Sequence, residues 1–181
     1  MSVHANKRTD EYGGPLNNRL RFLKEAVEAV SDAIGAERVG VRFAPLFSST
    51  VEEDRTYLGI VEDNPHETYV GAISLLEKAG IAYISMAEAD WDNAPEMPLS
   101  FRKAVRGAFS GAILYAGKYS KEKALKLVES GLGDLIGFGR PFIANPDLPA
   151  RMENNWPLNE LNPATLYGGA EEGYTDYPSY R

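Results

Sequence analysis

The sequence predicts an α/β fold built on a parallel sheet, and three observations carry that expectation. Four short apolar runs alternate with segments of helical period, glycine recurs where those helical segments stop, and the runs are apolar nearly throughout. Strands covered by helices on both faces read as continuous apolar runs, and right-handed βαβ crossovers place a helix between each pair. The 181 residues fit one domain, since domains usually run to about 100–200 residues.

The elements follow in order. Asn17 and Asn18 are candidate N-caps for a helix running to about Ile34. Leu20, Leu23, Val27, Val30 and Ile34 share one of its faces, and Gly35 stops it. Residues 39–43 read as a short strand interrupted by one charge, Arg42. The loop over residues 45–64 is long for an α/β unit, where connections run to about 2–6 residues, and such loops are often functional.

Asn64-Pro65-His66-Glu67 reads as an N-cap, a proline at the first helical position and an acid at N3. The helix behind it carries Tyr69, Ile73 and Leu76 on one face and stops at Gly80. A strand over 81–86 leads to an acidic, aromatic loop with Glu88, Asp90, Trp91 and Asp92. A helix over 99–109, a strand over 112–116 and a helix capped by Ser120 and closed by Gly131 follow. The last strand, 135–138, runs into Gly139 and Arg140, after which Pro141 and Pro146 open short helical turns. Residues 157–181 are rich in Gly, Tyr and Pro without a clear period. A doubly wound sheet and one half of a (β/α)₈ barrel both satisfy four such strands, and periodicity does not choose between them.

Composition narrows the chemistry. A formal net charge of −7 and the lack of a Lys/Arg cluster make nucleic acid a poor partner. With no cysteine and only His4 and His66, thiolate sites, a Cys nucleophile and a histidine-rich metal centre are not expected. No 18-residue apolar span or secretory leader pattern is present, so the expectation is a soluble, cytoplasmic protein without membrane partners. Gly-x-Ser-x-Gly is absent. Glu88 and Asp90 suggest an acid–base pair in isolation, but nothing in the sequence places them around a scissile bond.

The basic residues after the strands are more informative. Arg42 sits inside an apolar strand, where a charge needs either an acidic partner or a ligand. The third strand ends in Gly117-Lys118 and the fourth in Gly139-Arg140. Glycine lets backbone N–H groups approach a ligand, and successive N–H groups beside a cation suit a phosphate. Near the N-terminus, Arg8 can pair with Asp10 while Gly13-Gly14 turns the chain into the first helix.

Taken in order, these segments resemble the old yellow enzyme family of FMN-dependent ene reductases, and within it the bacterial N-ethylmaleimide and xenobiotic reductases. The resemblance rests on Asn6-Lys-Arg-Thr-Asp-Glu-Tyr-Gly-Gly14, Asn18-Arg19, Val39-Gly-Val-Arg42, Ala116-Gly-Lys118, Gly137-Phe-Gly-Arg140, Asn145-Pro-Asp-Leu148, and the tail from Tyr167-Gly-Gly to Gly173-Tyr-Thr-Asp-Tyr-Pro178. It implies the C-terminal half of a (β/α)₈ barrel, strands five to eight with their helices. Residues 1–16 would be an N-terminal loop, 17–156 the half-barrel, and 157–181 a tail over the active-site face.

The resemblance also implies cofactors and sites. FMN would take hydride from NADPH or NADH and deliver it to an activated alkene, or reduce nitro compounds or nitrate esters. Arg42 would lie by the N1/C2 side of the flavin, where reduction adds negative charge. Backbone N–H groups of Gly117, Lys118, Gly139 and Arg140 would hold the FMN phosphate, with the Arg140 side chain adding charge-assisted bonds. Trp91 and Tyr167 would line the substrate pocket.

The family's proton-donating tyrosine and substrate-oxygen pair belong to the other half of the barrel, so no catalytic residue is assigned here. A half-barrel exposes two strand edges and an apolar inner face. The expected partner is therefore a complementary N-terminal half-barrel chain or a second copy of this one.

Overall fold

The computed structural model describes residues 1–47, 62–88, 96–167 and 170–181. Two compact units emerge, Met1–Ile136 and Gly137–Arg181.

In the first unit, helix α1 (Leu16–Ile34) begins one residue before Asn17 and has no side-chain cap. The expected asparagine caps fail because Pro15 leads the chain in. Its carbonyl accepts from the N–H groups of Asn18 and Arg19 at 3.0 and 3.1 Å, so both asparagines already lie in the first turn. Arg19 reaches back to the carbonyls of Gly14 (2.6 Å) and Met1 (2.8 Å), and the Arg8–Asp10 ion pair forms as expected. Gly35 ends the helix at φ 91°, a value costly for any side-chain-bearing residue.

The Asn64 side chain caps the helix start, and a second bond joins it to the Glu67 side chain. Glu67 N–H donates to Asn64 Oδ1 at 3.1 Å, and Asn64 Nδ2 donates to Glu67 Oε2 at 3.4 Å. The first turn, His66–Val70, is π-helical and continues into α2 (Gly71–Ala79), which Gly80 closes in the left-handed region. Tyr69, Ile73 and Leu76 are buried, as their spacing predicts. The rest of the unit is α3 (Leu99–Ala108) and α4 (Lys121–Glu129) between strands β1 (Gly40–Phe43), β2 (Tyr83–Ala87), β3 (Ala112–Ala116) and β4 (Leu135–Gly137). Ser120 caps α4 by accepting from the Lys123 N–H at 3.2 Å.

The strands form one sheet in the order β1-β2-β3-β4, and the β1–β2 and β2–β3 pairs are parallel. Register sorts the side chains onto two unlike faces. Val41, Phe43, Ile84, Met86, Ile113 and Tyr115 share one face, and all but Val41 are buried. The Phe43 ring meets Tyr69 edge-on at 5.9 Å, and Tyr69 meets Phe101 of α3 in the same manner at 6.4 Å. That face is the core.

The opposite face carries Gly40, Arg42, Tyr83, Ser85, Ala87, Ala112, Leu114 and Ala116. Gly40 and Arg42 are exposed, Tyr83 is 42% exposed, and Ala112, Leu114 and Ala116 are half-buried. Parallel sheets normally have both faces covered. Among the described residues, Gly40, Arg42 and Tyr83 leave part of this face accessible, while Ser85 and Ala87 on the same face are buried.

The second unit is organised by a buried arginine. Helices α5 (Arg140–Ala144) and α6 (Leu148–Asn154) precede a 3₁₀ turn, Pro163–Thr165. Arg151 Nε donates to Asp147 Oδ1 at 2.6 Å, and its two terminal nitrogens donate to the carbonyls of Pro157 (2.5 Å) and Pro178 (2.8 Å). The tail beyond α6, aperiodic in sequence, is thus tied back by one guanidinium. Trp156 stacks on Tyr180 with ring centroids 4.5 Å apart. Among the described residues, no helix is long and apolar enough to cross a membrane.

Candidate functional site

Arg42 lies on the partly accessible sheet face, directly beside Ser85 in the register. Among the described residues Arg42 has neither a salt bridge nor a hydrogen-bond partner, and the acidic residues of 48–61 and 89–95 lie outside them. An exposed cation on a strand interior is a group that an anion or a polarised carbonyl can engage.

At the C-terminal end of β3 the chain makes a tight turn. Tyr119 N–H donates to the Gly117 carbonyl at 3.1 Å, leaving Gly117 and Lys118 exposed at the apex. Among the described residues, neither Gly117 nor Lys118 spends its own N–H on a backbone turn or loop bond. In the second unit, Gly139 is the N-cap of α5, and the place its side chain would take is empty to 4 Å. Arg140 is the first residue of α5 and Pro141 the second, one position later than the sequence suggests. Tyr167 is exposed. Trp91 and Asp90 lie outside the described residues.

Glu88, which suggests an acid–base role only in isolation, is committed to a buried cluster. Its carboxylate is 2% exposed and accepts from Arg102 Nη2 at 2.5 Å and from the Tyr119 hydroxyl. The Arg102 guanidinium also sits 4.6 Å from the centre of the Tyr115 ring. Burial disfavours the Arg102 charge, but the carboxylate of Glu88 and the Tyr119 hydroxyl outweigh it and raise its pKa. Burial first, and then the Glu88 charge, push the Tyr119 phenol far up. A carboxylate held this way ties α3 to the turn after β3.

Sequence reasoning missed Arg102 and Tyr119, although one signal was present. Arg102 lies beside Phe101 and three residues before Val105, on the buried stripe of α3, where a charge demands a partner.

These residues fit FMN. In the first unit, the exposed Gly117–Lys118 turn at a strand end suits a phosphate, and the exposed Arg42 cation suits an electron-rich ring edge. In the second unit, Gly139 leaves empty space before α5, and none of these residues is a thiolate or imidazole that would suggest a metal.

The class this geometry defines is an α/β protein on a parallel sheet, and comparison with known proteins narrows it. Residues 1–159 match the NADH:flavin oxidoreductase / NADH oxidase family. The chain belongs to that family, and within it to the old yellow enzymes, which use FMN and a nicotinamide reductant. It is 39% identical to 12-oxophytodienoate reductase 2 of Arabidopsis thaliana over 182 residues, covering 99% of this chain and 46% of the relative.

Among solved structures, it superposes on morphinone reductase with a TM-score of 0.87 at 40% identity, covering 99% of this chain and 46% of that one. The old yellow enzyme homologue of Zymomonas mobilis gives a TM-score of 0.85 at 35% identity, covering 99% and 49%. The chain therefore spans about half the length of the proteins it matches.

Proposed function

We propose that this chain is the FMN-binding half of an NAD(P)H-dependent ene reductase acting on α,β-unsaturated carbonyl compounds, with nitro compounds or nitrate esters as further substrates. The observation that carries the proposal is Arg42, a cation without a partner among the described residues, on the accessible part of a sheet face in a chain of this family. When bound, FMN supplies hydride transfer between the nicotinamide and the alkene.

This chain's own residues bind and orient. Arg42 places positive charge beside the flavin ring, where it favours the electron-rich state. In the first unit, Gly117 and Lys118 offer backbone N–H groups to the phosphate. In the second, Gly139 and Arg140 offer theirs, and the guanidinium adds charge-assisted bonds. Tyr167 is assigned to the substrate pocket. The roles of proton donor and substrate-oxygen ligand are not assigned to residues of this chain, so turnover requires the other half of the barrel to supply them.

The test is NADPH-dependent loss of enone absorbance by the complete, flavin-loaded assembly. Turnover is expected. A loaded assembly that binds FMN and leaves the enone intact reduces the chain to a flavin-binding module.

A further inference from the structure

The Glu88–Arg102–Tyr119 cluster is buried, charged and unused by the proposed function, and it touches the turn at the end of β3 from several sides. Glu88 N–H donates to the Ala116 carbonyl at 2.8 Å. A side chain at Gly117 would place its Cβ 2.9 Å from that of Glu88, so Glu88 packs directly on the turn. Its carboxylate accepts from the Tyr119 hydroxyl, and Tyr119 N–H closes the turn on the Gly117 carbonyl at 3.1 Å. Gly117 and Lys118 are thus bracketed before and after by a single acidic residue.

Arg102 makes that bracket rigid. It neutralises Glu88 at 2.5 Å and lies over the Tyr115 ring, anchoring the carboxylate to β3 itself. Packing alone does not call for this chemistry, because apolar residues of similar volume often replace a buried ion pair without loss. Directional bonds to one turn, by contrast, fix where its N–H groups point. Binding groups held in place before the ligand arrives avoid the entropic cost of ordering them.

We propose that Glu88, braced by Arg102, is a positioning residue that acts through Tyr119 to hold the Gly117–Lys118 N–H groups in their phosphate-binding orientation. The inference rests on the reading of those N–H groups as part of an FMN phosphate site, and the test separates the two.

The measurement uses the full chain, in the assembly in which it purifies, and its Tyr119→Phe variant. Affinities for FMN and for riboflavin, which lacks the phosphate, are read from flavin fluorescence, and amide hydrogen exchange is followed at Tyr119, whose N–H closes the turn. The wild-type protein is expected to prefer FMN. Tyr119→Phe is expected to weaken FMN about tenfold, the scale of one hydrogen bond to a charged group, and to leave riboflavin unchanged. Exchange at the turn is expected to quicken about tenfold while the β2 amides stay protected.

Equal loss for both flavins marks a general structural defect and overturns the proposal, as does an unchanged FMN preference. A wild-type protein with no preference for FMN removes the phosphate reading itself, and the proposal falls with it even when exchange at the turn responds. Glu88→Gln provides a second reading of the same ratio, since it keeps the shape but removes the charge that orders the phenol. The same loss of FMN preference is expected there, and its retention counts against the proposal.

Discussion

Replacing Arg102 with methionine removes a cation from a site where its side chain is 9% exposed and its partner Glu88 2% exposed. These exposures put the pair in the buried regime, far from the surface pairs that contribute about 0–1 kcal/mol. Losing one member leaves a buried carboxylate facing only a phenol, and such losses cost about 3–5 kcal/mol. For a chain of this length, each kcal/mol shifts the melting temperature by about 2–4 °C, so Arg102→Met is expected to lower it by roughly 6–20 °C. The double variant Glu88→Met/Arg102→Met removes both charges and is expected to recover most of the loss. Thermal unfolding followed by circular dichroism, completed as a double-mutant cycle, measures both. A single-variant loss below about 1 kcal/mol, or a double variant no better than the single, would refute the account of a tightly coupled buried pair.

Four further outcomes follow from the same geometry. Arg42→Met is expected to leave the melting temperature nearly unchanged, because exposed residues rarely matter by more than about 0.5 kcal/mol, while weakening FMN about tenfold or more by fluorescence titration. Gly117→Ala forces a Cβ to within 2.9 Å of Glu88. A cost of about 1–3 kcal/mol in chemical denaturation is expected, with weaker FMN binding. Phe101 is fully buried and meets the rings of Phe47, His66 and Tyr69 edge-on, so Phe101→Ala is expected to cost about 3–5 kcal/mol in the same assay.

The fourth concerns acid. The Tyr180 N–H and the Arg151 guanidinium hold the Asp147 carboxyl below its ordinary value of 3.8. Its stabilising contribution is therefore present above that value and is lost as pH falls through the lower folded value. Asp147→Asn is expected to flatten the acid limb of the stability profile, read as melting temperature between pH 5 and pH 2.

Much of the fold was legible because its signals are local. Residues 112–116 read as an apolar run bounded by glycines and form β3. Asn64 and Glu67, three residues apart, announced a helix start, and there Asn64 Oδ1 accepts from the Glu67 N–H. Where the local signal was ambiguous, a neighbour decided: Pro15, rather than Asn17 or Asn18, starts α1 because its carbonyl takes the first helical bonds.

The site was legible only in part. Glycine followed by a base marked the ends of β3 and β4, and Arg42 stood out as a charge in an apolar strand. Which sheet face Arg42 occupies emerged only from strand register. The partners of Glu88 lie 14 and 31 residues away in sequence, at separations that no motif encodes. A carboxylate beside a tryptophan in a loop suggested proton chemistry, while the fold had committed it to holding the adjacent turn.

The central claim is that this chain carries the flavin-binding half of an old yellow enzyme barrel and needs its partly open sheet face covered. Native mass spectrometry of the purified protein tests it most directly, because intact mass reports both bound flavin and any second polypeptide. The account predicts an assembly of this chain with a complementary half or with a second copy of itself, carrying FMN. A monomeric chain without flavin, stable in solution and indifferent to added FMN, would contradict it.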